Sequence, residues 1–186
     1  MSAFLPAHAI HGISHVNIVV DDIEIATELY GSLLGFEPAR NADGPMDYRG
    51  VDLASFARNA GFADGKVHVD IQFLRHPRVG LFLELMRYRH PQGSDTAAIK
   101  APYDVGGIKH IAFVVDDAVG AYEFIRAQQE RYAQRGLSIR IRGDGHVPEQ
   151  LTPFPYKFFY WIDPWGVQWE MEEGRTTEHV IRGSVG

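Results

Sequence analysis

The chain of 186 residues contains no cysteine, which removes disulfides, thiolate metal sites and a cysteine nucleophile; any bound metal must be held by nitrogen and oxygen. No uninterrupted apolar run approaches the roughly 18 residues that a spanning helix needs, so no membrane partner is expected. Cations are in deficit, with 18 Lys and Arg against 24 Asp and Glu and a formal net charge of −6, which leaves no electrostatic footprint for nucleic acid. The opening Met1-Ser2-Ala3-Phe4-Leu5-Pro6-Ala7-His8 lacks the basic and apolar regions of a secretory leader. These shortages predict a cytoplasmic protein whose partner is a small molecule. What remains is ordinary globular composition, 45% hydrophobic and 23% charged, with length for one domain or two packed halves.

The chain repeats itself. Gly12-Ile13-Ser14-His15-Val16-Asn17-Ile18-Val19-Val20-Asp21-Asp22 returns as Gly107-Ile108-Lys109-His110-Ile111-Ala112-Phe113-Val114-Val115-Asp116-Asp117, a constant offset of 95 residues. That period is too long for a solenoid unit and suits a duplicated half-domain. In each copy a short β-branched and apolar run ends at paired aspartates suited to capping a helix. The first helix follows from Ala26, Leu29, Tyr30, Leu33 and Leu34 at three- and four-residue spacing, with Gly35 as its C-cap. The second follows from Val119, Tyr122, Phe124 and Ile125, turns polar over residues 128–135 and ends at Gly136.

Further strands are predicted over residues 66–74, 79–88, 138–142, 157–162 and 167–172, with His76-Pro77-Arg78 and Asp163-Pro164-Trp165-Gly166 as hairpin turns. Each half therefore reads as βαβββ. The fold class is α+β, with a first module over 10–92, a linker over 93–104, a second module over 105–173 and a tail over 174–186 that is available for a homodimer contact. Within the first module, residues 41–65 form an insertion or substrate-side lid, with a short helix expected over 52–59. Residues 143–155, which include His146, read as a second functional loop.

Strand alternation puts His15 on the face of Asn17, and His110 on the face of Ala112. The late strand of each half also carries one glutamate among apolar neighbours, Glu84 in Leu81-Phe82-Leu83-Glu84-Leu85-Met86 and Glu170 in Val167-Gln168-Trp169-Glu170-Met171. A lone strand histidine is ordinarily a hydrogen-bonded core or edge residue, and a lone strand glutamate ordinarily faces water. Recurrence of the same two residue types in both repeats points instead to a divalent metal held by two imidazoles and two carboxylates. Zn, Ni, Co, Mn and Fe all suit such donors.

Three other groups stand out. His68, Asp70 and Gln72 share one strand face, for which a solvated surface competes with a role for Asp70 as a second base. Phe154, Tyr156, Phe158, Phe159, Tyr160, Trp161 and Trp165 suit either core packing or a ring-bearing substrate. Arg75, Arg78, Arg87 and Arg89 could meet a substrate anion or simply lie at the surface.

The chain resembles the vicinal oxygen chelate superfamily, which includes glyoxalase I, methylmalonyl-CoA epimerase, extradiol dioxygenases and the bleomycin and fosfomycin resistance proteins. The resemblance spans residues 12–173 and rests on His15, on Leu29-Tyr30-Gly31-Ser32-Leu33-Leu34-Gly35-Phe36, on Leu83-Glu84-Leu85, on Lys109-His110-Ile111-Ala112-Phe113 and on Asp163-Pro164-Trp165-Gly166-Val167-Gln168-Trp169-Glu170-Met171. It implies paired βαβββ modules in a cupped, mostly antiparallel sheet around one divalent metal, with His15, Glu84, His110 and Glu170 as ligands. It further implies a lyase or isomerase of glyoxalase or epimerase type, with Glu170 or Glu84 as the base. An Fe(II) extradiol-type dioxygenase acting on a catechol and a non-catalytic binding protein of drug-resistance type are the alternatives within the same resemblance.

Overall fold

A computed structural model describes residues 12–94, 105–143 and 145–174. The expected linker beyond residue 94, the tail from residue 175 and the opening stretch lie outside the described residues. The chain divides into two compact units, the first running to Gln92 and the second starting at Gly93.

In the first unit β1 (Val16–Val19) leads into α1 (Ile23–Leu34), followed by β2 (Glu37–Pro38), β3 (Arg40–Asn41), β4 (Gly44–Pro45), β5 (Asp47–Asp52), α2 (Ala54–Asn59), β6 (His68–Arg75) and β7 (Phe82–His90). The sheet runs β1-β7-β6-β2, with β5 also paired to β6. β1 is parallel to β7, and the other pairings in this sheet are antiparallel. In the second unit β8 (Ile111–Val114), α3 (Ala118–Ala133), β9 (Arg140–Ile141), β10 (Lys157–Ile162) and β11 (Gln168–Glu173) follow in chain order. Their sheet runs β8-β11-β10-β9, again with only its first pair parallel. The α+β class and the doubled βαβββ pattern are therefore as expected.

Local chemistry explains the boundaries. Asp22 caps α1 by accepting from the Ile25 N–H at 2.9 Å, and Asp117 caps α3 by accepting from Val119 and Gly120. Gly35 closes α1 with φ +74, a left-handed value that glycine adopts without strain. α3 instead ends at Ala133 with Gln134 still right-handed, and the left-handed Gly136 comes two residues later. The strand expected over 138–142 shortens to Arg140–Ile141, and the one expected from 79 starts at Phe82, because residues 76–81 are spent on the turn. In that turn His76 Nδ1 accepts from the Arg78 and Val79 N–H groups.

Each sheet has two distinct faces. In the first unit Ile18, Leu74, Leu83 and Leu85 are buried on the α1 side. In the second, Phe159, Trp161, Trp169 and Met171 are buried on the alternate positions of β10 and β11, where Tyr122 of α3 meets Phe159 edge-on at 5.6 Å. Two of the seven residues of the aromatic group, Phe159 and Trp161, are thus core. Phe158 and Tyr160 fall on the opposite face, with Glu170.

The insertion is built into the first sheet. β5 extends the edge of β6, and α2 packs Ala57 and Phe56 against Val69, Ile71, Phe73, Met86 and Tyr88. By alternation these sheet residues share the face of Glu84. The segment read as a lid therefore covers part of that face with an apolar cluster.

Candidate metal centre

The register places the glutamates. Asn17 lies opposite Glu84 between β1 and β7, and Ala112 lies opposite Glu170 between β8 and β11. Since β1 and β8 begin one residue after a histidine, each histidine lies at the strand mouth beside its glutamate. His15 Nε2 is 3.2 Å from Glu84 Oε2, and His110 Nε2 is 3.0 Å from Glu170 Oε2. The two repeats thus reproduce one pair twice, through the same atoms. The glutamate side chains are only 17% and 8% exposed, whereas the imidazoles are 36% and 38% exposed. Glu170 is buried and Glu84 half-buried at the sheet, while the rings remain reachable. An aromatic ring backs each histidine, Phe73 edge-on to His15 at 5.7 Å and Tyr160 at 5.3 Å from His110. Phe73 and Tyr160 occupy matching register positions, opposite Glu84 and Glu170 respectively.

These separations fit a metal. Nitrogen and oxygen ligands at about 2.1 Å in adjacent octahedral positions are about 3.0 Å apart, so each pair could take two neighbouring positions with little movement. Among the described residues no group of three or more His, Asp or Glu is gathered closely enough to hold a metal ion. Each unit by itself presents one histidine–glutamate pair.

Ordering contacts are also present. Ser14 Oγ is 3.0 Å from His15 Nδ1, while the Asn17 amide donates to Glu84 Oε2 at 3.0 Å and to the Glu84 carbonyl at 3.2 Å. Two residues near the pairs escape sequence reasoning. Glu172 is 4% exposed on the face of Glu170, and only the alternation within Glu170-Met171-Glu172 could have flagged it. Burial, reinforced by the Glu84 charge, pushes the Tyr88 phenol up, which keeps a protonated hydroxyl on the face of Glu84.

Asp70 belongs elsewhere. It lies on the opposite face of β6 and is 1% exposed, neither a solvated residue nor a base beside Glu84. Arg89 donates to both of its oxygens, and the Gly50 N–H donates to Oδ1, which ties β5, β6 and β7 together. Burial alone would raise its carboxyl, but the bonds from Arg89 and Gly50, together with the charges of Arg89 and Arg49, outweigh this and hold it below the usual range. Such a group stabilises the fold above the unfolded carboxylate value of about 4, and the contribution is lost as pH falls through the depressed native value. Urea titrations should accordingly show Asp70→Asn less stable than wild type at pH 7, with the gap closing under acid. An equal gap throughout would contradict the assignment. Gln72 accepts from Thr27 and Arg49, and His68 meets Asp52 at 3.0 Å, so the three residues have three different structural partners. Arg87 lies opposite Asp70, so neither Arg87 nor Arg89 shares the face of Glu84.

Comparison with known proteins places the architecture. The Glyoxalase/Bleomycin resistance protein/Dioxygenase superfamily matches residues 14–146, more than half of the chain, and the chain belongs to that superfamily. Among solved structures it is similar to a glyoxalase family protein from Bacillus cereus, at 21% identity and TM-score 0.60, covering 88% of this chain and 94% of that one. A glyoxylase/bleomycin resistance protein/dioxygenase domain from Frankia sp. is 18% identical with TM-score 0.50, covering 91% and 96%. The fosfomycin resistance protein FosX of Listeria monocytogenes is 16% identical with TM-score 0.49, covering 92% and 99%, and another structure of that protein is a complex with Mn(II) and sulfate. No curated protein matches the sequence. No helix among the described residues is long and apolar enough to cross a membrane.

Proposed function

We propose that this chain is a divalent-metal-dependent lyase or isomerase of glyoxalase or epimerase type, whose centre is completed by both repeats through His15, Glu84, His110 and Glu170. The observation that carries the reading is the duplicated Nε2–Oε2 pair, at 3.2 Å in one repeat and 3.0 Å in the other. A histidine–glutamate hydrogen bond could arise once for structural reasons. Its return at matching register, with both rings left reachable, suits ligands. When bound, the metal supplies Lewis-acid stabilisation of negative charge on two adjacent substrate oxygens.

The chain's own residues supply the proton chemistry. One carboxylate, Glu170 or Glu84, takes the proton from the C–H beside those oxygens and returns it on the same face to the neighbouring carbon, or, for inversion, the other carboxylate in its protonated form delivers a proton to the opposite face. The electron pair left by the proton is delocalised onto the substrate oxygens until reprotonation, so no oxidant is required. Phe73 and Tyr160 wall the histidines and limit access of water to the reacting carbon. The substrate in this reading is a small oxygenated carbon acid, the metal one of Zn, Ni, Co, Mn or Fe, the compartment the cytoplasm and the assembly a homodimer.

The dioxygenase reading draws on Phe158 and Tyr160, ring-bearing residues on the face of Glu170 that would suit a catechol. Proton NMR in D2O separates the two. Metal-dependent exchange of the carbon-bound proton of α-hydroxyketones or 2-substituted malonate thioesters supports the isomerase. Oxygen uptake with catechols on the Fe(II)-loaded protein, without such exchange, overturns it.

A further inference from the structure

The helix side of the second unit holds a cavity that the proton chemistry above does not use. It encloses about 490 Å³ and is lined by Tyr122, Arg126 and Gln129 of α3, by Arg142 just after β9, and by Gly143 and Gly145 of the loop that follows. The three α3 residues are four and three positions apart, so they share one face of the helix. Tyr122 meets Phe159 on the face of the sheet opposite Glu170, so the cavity lies away from the histidine–glutamate pair. The fold fixes its walls. The buried Tyr122 hydroxyl donates to the Gly145 carbonyl, Gln129 Nε2 donates to the Ile139 carbonyl at 3.0 Å, and the Arg142 N–H donates to the Tyr160 carbonyl at 2.9 Å. Helix, loop and strand are thus pinned around the space, which lowers the ordering cost of binding.

The lining is cationic in a chain whose net charge is −6. Two of the residues around the cavity are arginines, and among the described residues that line it none is Asp or Glu. Arg126 is exposed and, among the described residues, forms no ion pair, while Arg142 is half-buried. A guanidinium carries five N–H donors in a planar fork, so contacts within the protein leave others for a ligand. Gly143 has φ +79, and a Cβ built on it would meet nothing within 4 Å, so the backbone there is open to close approach. We propose that this cavity binds a small phosphate monoester, with Arg126 and Arg142 holding the phosphoryl oxygens. Such a group carries about two negative charges at pH 7, which two guanidiniums balance, whereas a single carboxylate carries one. The volume leaves room for an organic body beyond the phosphate, within the roughly 300–1,000 Å³ usual for ligand pockets. The site stands whether or not the four-ligand centre does.

The test is isothermal titration of the full chain with glycerol phosphate at fixed ionic strength, with glycerate as the carboxylate counterpart and the melting temperature of each unliganded variant as a control. Glycerol phosphate should bind at one site per chain and more tightly than glycerate. Arg126→Gln and Arg142→Gln should each weaken it by about tenfold or more, the usual effect of losing a charge-assisted hydrogen bond. Glu170→Gln, on the other face of the sheet, should bind it like wild type. Absence of saturable binding, or wild-type affinity in both arginine variants, would overturn the site. Binding lost in Glu170→Gln would place the anion at the histidine–glutamate face and equally overturn it. Glycerate bound as tightly as glycerol phosphate would overturn the phosphoryl assignment. Weakening that tracks a lowered unliganded melting temperature in both arginine variants would mark the arginines as structural and remove the proposal.

Discussion

Replacing Glu170 with glutamine is expected to slow solvent-proton exchange into substrate by about a thousandfold while leaving the protein folded. General acid–base groups typically contribute 10²–10⁴-fold, and an amide is sterically close to a carboxylate but has almost no basicity. The second-repeat glutamate is the more sheltered of the two, at 8% side-chain exposure against 17% for Glu84, which protects a proton in transfer from water. The same substitution at Glu84 should also lower metal retention, as at Glu170, because both carboxylates are proposed ligands; its amide oxygen can keep accepting from Asn17 but brings no negative charge to a metal. The comparison is read by NMR exchange rates at saturating metal, with circular dichroism confirming the fold. A Glu170→Gln protein that exchanges protons at the wild-type rate would remove Glu170 from the chemistry.

The second large effect concerns the turn that delivers Glu170. Asp163 is 1% exposed, and its carboxylate accepts from the Trp165 and Val167 N–H groups at 3.0 Å and from the Trp169 indole at 2.9 Å. One side chain thus satisfies three donors and ties the β10–β11 turn to a fully buried tryptophan one residue before Glu170. Pro164 and Gly166, the latter at φ +86, let the chain reverse around it. Asp163→Ala should cost about 3 kcal/mol or more, because it leaves these donors without their acceptor in a buried site. Asp163→Asn, which retains one carbonyl oxygen, should fall between. Urea denaturation midpoints measure both, and an alanine variant within about 0.5 kcal/mol of wild type would contradict this role. The closing Asp-Pro-Trp-Gly motif is therefore a structural clamp that sets the start of β11, two residues ahead of Glu170.

Much of this was legible from the chain alone, for a physical reason. The histidines, the capping aspartates and the late-strand glutamates are positioned by local periodicity, which a linear sequence displays. The spacing within each histidine–glutamate pair then follows from the parallel register of the first and last strands of each repeat. Other features depend on non-local pairing. Nothing in residues 41–65 announces that β5 adds to the edge of β6, or that α2 covers Val69, Ile71 and Met86 on the face of Glu84. Asp70 looked like one of three aligned polar residues, and its burial follows from Arg89, nineteen residues away and on another strand. Asn17 was correctly placed on the face of His15, but its bond to Glu84 requires the register of β1 against β7.

The account depends on one centre shared by both repeats, and the stoichiometry of Mn(II) binding tests that most directly. One tight site per chain, weakened at least about tenfold by His15→Ala and to a comparable extent by His110→Ala, is the predicted result. Two independent weak sites, or a site that survives His110→Ala unchanged, would contradict it.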